Sequence, residues 1–164
     1  MSPLAEIAPA PIRFRKAEAK DRAAIEELQH AAYARNRRLL GVEPLPLKAD
    51  YGEILAHMEV WLAEERDRLK GVLILEPRTA DLLIWSIAAA PDAQGQGLGE
   101  MMLDAASVRA SQLGHSEVRL YTGAPLTSLI GWYQRHGFVV ESTEDLPDRT
   151  ITHMVKCLET PNLR

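Results

Sequence analysis

The sequence predicts an α/β fold built on a mixed sheet, and three observations predict it. In the second half of the chain, apolar runs of strand length alternate with segments of helical periodicity. Strand pairs joined by short polar turns flank that alternation. Between Ile84 and Met102 a strand, a glycine-rich turn and a helix follow in direct succession. This is the pattern of helices packed on a sheet.

Composition sets the bounds. A chain of 164 residues matches one domain, and 46% hydrophobic residues suffice for a real core. The formal charge of −4 comes from interspersed charges of both signs. A nucleic-acid surface would be basic, so none is expected. The single Cys157 excludes an intrachain disulfide framework and suits a reducing cytosol. No apolar run reaches membrane-spanning length, no basic segment precedes a long apolar core, and no internal repeat is present. The expectation is a cytoplasmic protein with no membrane partner.

The elements follow in order. Residues 1–11 carry Pro3, Pro9 and Pro11 among small residues and read as a loose tail. Residues 12–15 alternate apolar and charged, a short first strand. Asp21 is placed to cap a helix in which Ile25, Leu28 and Ala32 share a face, ended by Asn36 and Gly41. Residues 41–46 read as a loop, because Pro44 and Pro46 each restrict themselves and their predecessors. Residues 50–58 form a second helix. Residues 59–64 and 69–75 read as strands two and three, joined by the charged turn Glu65-Arg66-Asp67-Arg68, a solvated hairpin tip. Residues 82–90 are strand four. Residues 98–113 form a helix stopped by Gly114, where a left-handed cap would stand. Residues 117–121 are strand five, and 127–136 form a helix ended by Gly137. Residues 138–141 and 150–158 form a last pair of strands.

The glycine-rich turn has a physical use. The first backbone N–H groups of a helix lack intrahelical partners, and the helix dipole adds partial positive charge there. No Ser, Thr, Asp or Asn stands just before Leu98 to cap that end. Gly95, Gly97 and Gly99 carry no side chain to keep a ligand off those amides. An anion such as a phosphate can act as the cap. A plain tight turn is the alternative. A P-loop is excluded, since Glu100 and Met101 follow Gly99 where Lys and Ser or Thr are needed. A dinucleotide fingerprint is excluded too: the sixth position is Glu100 counted from Gly95 and Met102 counted from Gly97.

The spacing that does fit is Gln/Arg-x-x-Gly-x-Gly/Ala, met by Gln94, Gly97 and Gly99 after a strand ending in Ala-Pro. It resembles the acetyl-CoA loop of the GNAT superfamily of N-acetyltransferases. Leu120-Tyr121-Thr122, then the run 126–138 closing in Tyr133 and Gly137-Phe138, is similar to that family's strand, helix and "Tyr-x-x-x-Gly-Phe". Residues 154–158 are similar to its last strand. The resemblance covers residues 12–158, which it implies are one N-acetyltransferase domain, with 159–164 a C-terminal tail. It implies a mostly antiparallel mixed sheet in which strands four and five splay apart.

The resemblance also implies site roles. The pantetheine arm lies in the splay and bonds main-chain groups of Ile87, Ala88 and Ala89, whose small neighbours also suit a tightly packed strand. The pyrophosphate sits over Gln94, Gly95, Gln96, Gly97, Leu98 and Gly99. Gln94 is often Arg in the family; Gln donates a hydrogen bond without a charge. Transfer is direct attack of an amine on the thioester. Tyr133 matches the position that protonates the leaving thiolate, with half-buried packing beside Ile130 as the alternative. The family often has Asn early in the helix leading to Tyr133; none stands there in this chain. The proline-rich stretch between the first two strands either shapes the acceptor site or merely connects.

The general base stays open. Strand four offers Asp81 at its start, more a turn residue, and Ser86, which could orient a water. His136 and His153 are further candidates, and water with backbone carbonyls could suffice because desolvation deprotonates an ammonium. The expected protein is an acetyl-CoA-dependent transferase without a metal, acting on a small-molecule or peptide amine, with room for a homodimer. A catalytically silent acetyl-CoA-binding module and a different nucleotide-binding domain are the rivals.

Overall fold

The computed structural model describes Leu4 and residues 11–159. The expected tails at 1–11 and 159–164 therefore fall largely outside the described residues. Leu4 is fully buried in the main apolar cluster.

Seven strands form one sheet in the order β1-β2-β3-β4-β5-β7-β6. They are β1 (Ile12–Lys16), β2 (Glu59–Glu65), β3 (Arg68–Pro77), β4 (Leu82–Ala89), β5 (Glu117–Gly123), β6 (Val139–Asp145) and β7 (Thr150–Cys157). The helices are α1 (Arg22–Leu40), α2 (Leu45–Lys48), α3 (Tyr51–His57), α4 (Leu98–Gln112) and α5 (Thr127–Arg135). All strand pairs are antiparallel except β4 with β5. The expected mixed, mostly antiparallel sheet is thus observed.

Helices cover both faces, so β2 and β3 are apolar on both sides. Their side chains alternate. Trp61, Ala63, Leu73 and Leu75 join Leu98, Met102 and Tyr133 on the face of α4 and α5. Val60, Leu62, Val72 and Ile74 join Ile25, Leu28, Tyr51 and Ile54 on the face of α1 and α3.

One irregularity organises the sheet. Ile74 pairs with Ser86, but Leu75 pairs with Ile84, so Trp85 is an extra residue in β4. A one-residue bulge bends a strand and reverses the facing of everything beyond it. Leu82 and Ile84 accordingly belong to the α4 face, while Ala88 belongs to the α1 face. Pairing with β5 stops at the same place. Leu82, Leu83 and Ile84 pair with Val118, Arg119 and Leu120, and no further rung follows. Beyond it β4 and β5 part.

Several expected boundaries hold. Gly41, Gly114 and Gly137 stand beyond their helices at φ 70°, 80° and 95°. Asp50 caps α3 by accepting from the Gly52 and Glu53 amides. Arg66 and Asp67 both have positive φ, the two-residue turn that matches strand twist.

Three expectations need correction. Asp21 does not cap α1 with its side chain. Arg15 takes both its oxygens at 2.8 and 2.9 Å, and the Glu18 amide bonds it at 2.7 Å. The charge of Arg15 outcompetes helix amides. The 41–46 loop gives way to α2 at Leu45, because Pro46 stands in the first turn, where a missing N–H costs nothing. The strand expected at 138–141 runs on to Asp145, exposed throughout. Its outer half has no apolar alternation to read; the ladder to β7 holds it.

Candidate active site

A cavity of about 790 Å³ opens where β4 and β5 part. Its walls come from α1, the end of β4, the 94–99 loop, the end of β5 and α5. Main-chain groups of β4 beyond Ile84 have lost β5 as a partner, so a ligand that offers donors and acceptors can replace it.

The glycine loop enters from the β4 side. Gly95 and Gly97 have φ of 78° and 81°, a left-handed backbone that side chains resist. Gly97 occupies the cap position of α4, and no side chain bonds the helix start. Its carbonyl takes the Met101 amide at 3.1 Å, closing the first turn. No heavy atom lies within 4 Å of where a Cβ would stand on Gly95 or Gly97. Open space, an uncapped helix start and a left-handed glycine backbone together fit an anionic ligand.

Most of the expected binding residues converge. Ile87, Ala88, Ala89, Gln94, Gly95, Gly97 and Gly99 all line the cavity. The bulge divides them, since Ala89 and Ile87 pack on the α4 face and Ala88 on the α1 face. Gln94 donates from its amide to the Ala89 carbonyl at 3.2 Å, tying the loop to the strand end. Gln96 and Leu98 do not line the cavity. The Gln96 amide turns back to the Asp92 carbonyl at 3.1 Å. The Leu98 side chain is buried against Gly71 of β3, leaving only its main chain for a ligand. Gly99 serves packing: Trp132 of α5 fills the space its Cβ would need.

Tyr133 lines the cavity and is 5% exposed. Its ring packs edge-on against Trp132 and Phe138, with centroids 5.2 and 5.7 Å away. Burial pushes its phenol well above the ordinary tyrosine range, with the Tyr33 phenol adding a smaller push. Tyr133 therefore stays protonated at neutral pH.

The base candidates separate. Asp81 is held by Arg78 at 2.6 and 2.9 Å in the turn before β4 and does not line the cavity. The His136 Nδ1 bonds the Trp132 carbonyl at 2.7 Å and its Nε2 lies 3.3 Å from Glu100. The His153 Nε2 lies 2.8 Å from Glu144, beside a separate cavity of about 360 Å³. Only Ser86 of the four reaches the main cavity.

Ser86 is already engaged. Gln29 of α1, fully buried, donates to its hydroxyl at 3.0 Å. Tyr33 shares a 2.9 Å hydrogen bond with the same oxygen. Burial raises the Tyr33 phenol, opposed by Ser86 and by the main chain at Ile87. Three protonated phenols, Tyr33, Tyr121 and Tyr133, thus line one cavity. Sequence reading missed Tyr33. The signal was Gln29, a polar residue four positions from Ile25 and from Tyr33 on the inward face of the helix. It also missed Arg149, which lines the cavity from the β6–β7 turn.

Comparison with known proteins gives this geometry a context. The model of the acetyltransferase (GNAT) domain matches residues 56–140, which carry β2 to β5, the glycine loop and Tyr133. A mycothiol acetyltransferase of Jonesia denitrificans is 32% identical over 76 residues, 45% of this chain and 24% of that protein. An amino-acid acetyltransferase of Pasteurella multocida is 33% identical over 67 residues, 41% of this chain and 14% of that protein. The chain thus matches under a quarter of the length of either curated relative. Among solved structures, a GNAT family acetyltransferase from Elizabethkingia anophelis with acetyl-CoA bound superposes with a TM-score of 0.70. It is 18% identical, and the match covers 92% of this chain and 100% of that one. The PaiA N-acetyltransferase of Thermoplasma acidophilum, in complex with coenzyme A, has a TM-score of 0.73 at 17% identity over 89% of this chain and 98% of that one. At those identities the structures show a shared fold. With a family model covering over half of the sequence, including the cavity walls that come from β4, the glycine loop, β5 and α5, the chain belongs to the GNAT family of acetyltransferases.

Proposed function

We propose that residues 12–158 transfer the acetyl group of acetyl-CoA to a primary amine of a small molecule or peptide by direct attack. One observation carries the reading. The gap where β4 leaves β5, the uncapped start of α4 and the buried Tyr133 phenol all open on one cavity.

Each residue has a task in this reading. The amides from Gln94 to Gly99 hold the pyrophosphate, and the freed main chain of Ile87, Ala88 and Ala89 holds the pantetheine arm. The amine nitrogen bonds to the thioester carbon as the carbon–sulfur bond breaks. Tyr133 gives its proton to the departing sulfur, and solvent restores the phenol. Glu100 is the one carboxylate among the described lining residues, and it stands beside His136. Deprotonation of the amine then falls to its own desolvation and a water.

The lack of a His or Asp base among the described lining residues favours a second reading, a silent acetyl-CoA-binding module. The acceptor classes in the relatives' names, mycothiol and amino acids, keep both small molecules and thiol-bearing amines in the panel. The lone Cys157 is exposed and unpaired, which supports a reducing, cytosolic setting. No described helix is long and apolar enough to cross a membrane.

A thermal melt with acetyl-CoA, NAD and ATP, followed by thiol release across an amine panel, tests the proposal. A ligand that binds only the native state raises the melting temperature. A larger shift with acetyl-CoA and turnover of an amine is expected. A shift without turnover selects the silent module, and equal shifts by all three ligands exclude the acetyl-CoA site.

A further inference from the structure

The turn between β6 and β7 carries a charge that the transfer chemistry leaves unused. Arg149 stands just before Thr150, where β7 begins. Its side chain is only 5% exposed, and the residue lines the main cavity. A buried guanidinium needs partners for its donors. Asp148 supplies two, accepting from Nε at 3.1 Å and from Nη2 at 2.9 Å. The guanidinium has five N–H donors in a rigid fork, so Asp148 fixes one edge and leaves Nη1 uncommitted among the described residues.

Its place in the fold separates it from the phosphate loop. Ile151 pairs with Gly123, and the Ala124 amide bonds the Thr150 carbonyl at 2.9 Å. Arg149 therefore sits at the β5–β7 side of the splay. The glycine loop follows β4, on the other side. Leu40, at the end of α1, abuts Gly123, and Lys48 of α2 acts electrostatically on Asp148. The proline-rich segment thus closes the same end of the cavity, with Pro44 and Pro46 in its lining. Arg35 of α1 and Arg135 of α5 add two further cations to the lining, and neither makes an ion pair among the described residues.

Resting on the acetyltransferase reading, the geometry points to an acceptor amine that carries a carboxylate, gripped by Arg149 at the β5–β7 end of the cavity. A carboxylate matches the planar fork and fills the donors that Asp148 leaves. The amino group of the same molecule then extends into the gap between β4 and β5. Amino acids and compounds of similar size have this chemistry; simple alkylamines lack it.

The test pairs amino acids with their primary amides and with the decarboxylated amines. Binding to the CoA-loaded protein is measured by calorimetry, and thiol release from acetyl-CoA is measured separately. The carboxylate form is expected to bind on the order of 10- to 100-fold more tightly than its amide, the scale of a charge-assisted hydrogen bond. Arg149→Met should erase that preference while acetyl-CoA affinity stays at the wild-type level. Arg149→Lys keeps the charge without the fork and should restore only part of it. The wild-type comparison needs no variant, so misfolding of a mutant cannot hide the answer. Equal binding of amides and carboxylates overturns the inference, as does failure of any carboxylate-bearing amine to bind. A matching loss of acetyl-CoA affinity in Arg149→Met overturns it too, by assigning Arg149 to the cosubstrate. A carboxylate preference in binding with no thiol release supports the site and instead removes the transferase reading.

Discussion

The Cβ that Gly99 lacks would stand 3.1 Å from the Trp132 ring. α4 and α5 thus meet at a point where one has no side chain and the other has its largest. The two glycines of the motif do different work. Gly97 has nothing within 4 Å of its Cβ direction but a φ of 81°. Gly97→Val should lower acetyl-CoA affinity and cost about 1–2 kcal/mol of stability from left-handed strain. Gly99→Val should instead displace the indole and shift tryptophan emission. Calorimetry, melts and fluorescence on both variants check this; a silent emission spectrum in Gly99→Val would reject the packing role.

The contact also shows where sequence reading succeeds. Glycines at helix ends were legible because only glycine takes positive φ without strain, as Gly41, Gly114 and Gly137 do. Strand β4 was legible as an apolar run, but its bulge was not. Nothing in Ile84-Trp85-Ser86 marks the residue that the β3 register leaves unpaired. That register is a relation between strands, so the facing of Ile87 and Ala88 had to come from the fold. Asp21 was misread for the same reason: its partner Arg15 comes from β1, whose own place is set by β2. Nothing in the sequence singles out Arg149, and its burial appears only once Gly123 and Ile151 are paired.

The buried amide network makes a stability prediction. Gln29 Nε2 donates to Ser86, while Gln29 Oε1 accepts no hydrogen bond among the described residues. Ser86→Ala strands the donor as well, at a cost of about 1–3 kcal/mol. Replacing both ends should cost less than the sum of the two single changes, since Gln29→Leu removes both orphaned amide groups and leaves only the Tyr33 hydroxyl without Ser86. Urea unfolding of the two single variants and the double variant measures the coupling; simple additivity would contradict it.

The Asp21 cluster predicts a pH dependence. Hydrogen bonds from Arg15, and secondarily from the Glu18 amide, hold the Asp21 carboxyl down to about 2 against an ordinary 3.8. A depressed folded-state value adds stability above the unfolded value and loses it as pH falls through the folded one. The gain is on the order of 2 kcal/mol at neutral pH and fades from about pH 4 towards pH 2. Asp21→Asn should therefore lower the melting temperature at pH 7, with the gap to wild type closing in acid. A gap that stays constant with pH would mean the carboxylate charge is irrelevant.

Tyr133 carries the last prediction. Burial raises its phenol, so the hydroxyl keeps its proton through the neutral and mildly basic range. A proton donor near the sulfur is typically worth about 10²–10⁴-fold in rate. Tyr133→Phe removes one oxygen and keeps the ring against Trp132 and Phe138, so the fold should change little. Turnover should fall by roughly 10²–10⁴-fold while acetyl-CoA affinity holds, because the lost interaction acts mainly in the transition state. Tyr33→Phe is the control, since its phenol is bound to Ser86 on the same cavity. It should not reproduce the full loss. The raised phenol also places any fall in rate between pH 7 and 9 on another group, so the Tyr133→Phe residual rate should keep the wild-type pH profile there. A folded Tyr133→Phe protein with full activity would move the proton source to water and leave Tyr133 as a wall of the cavity.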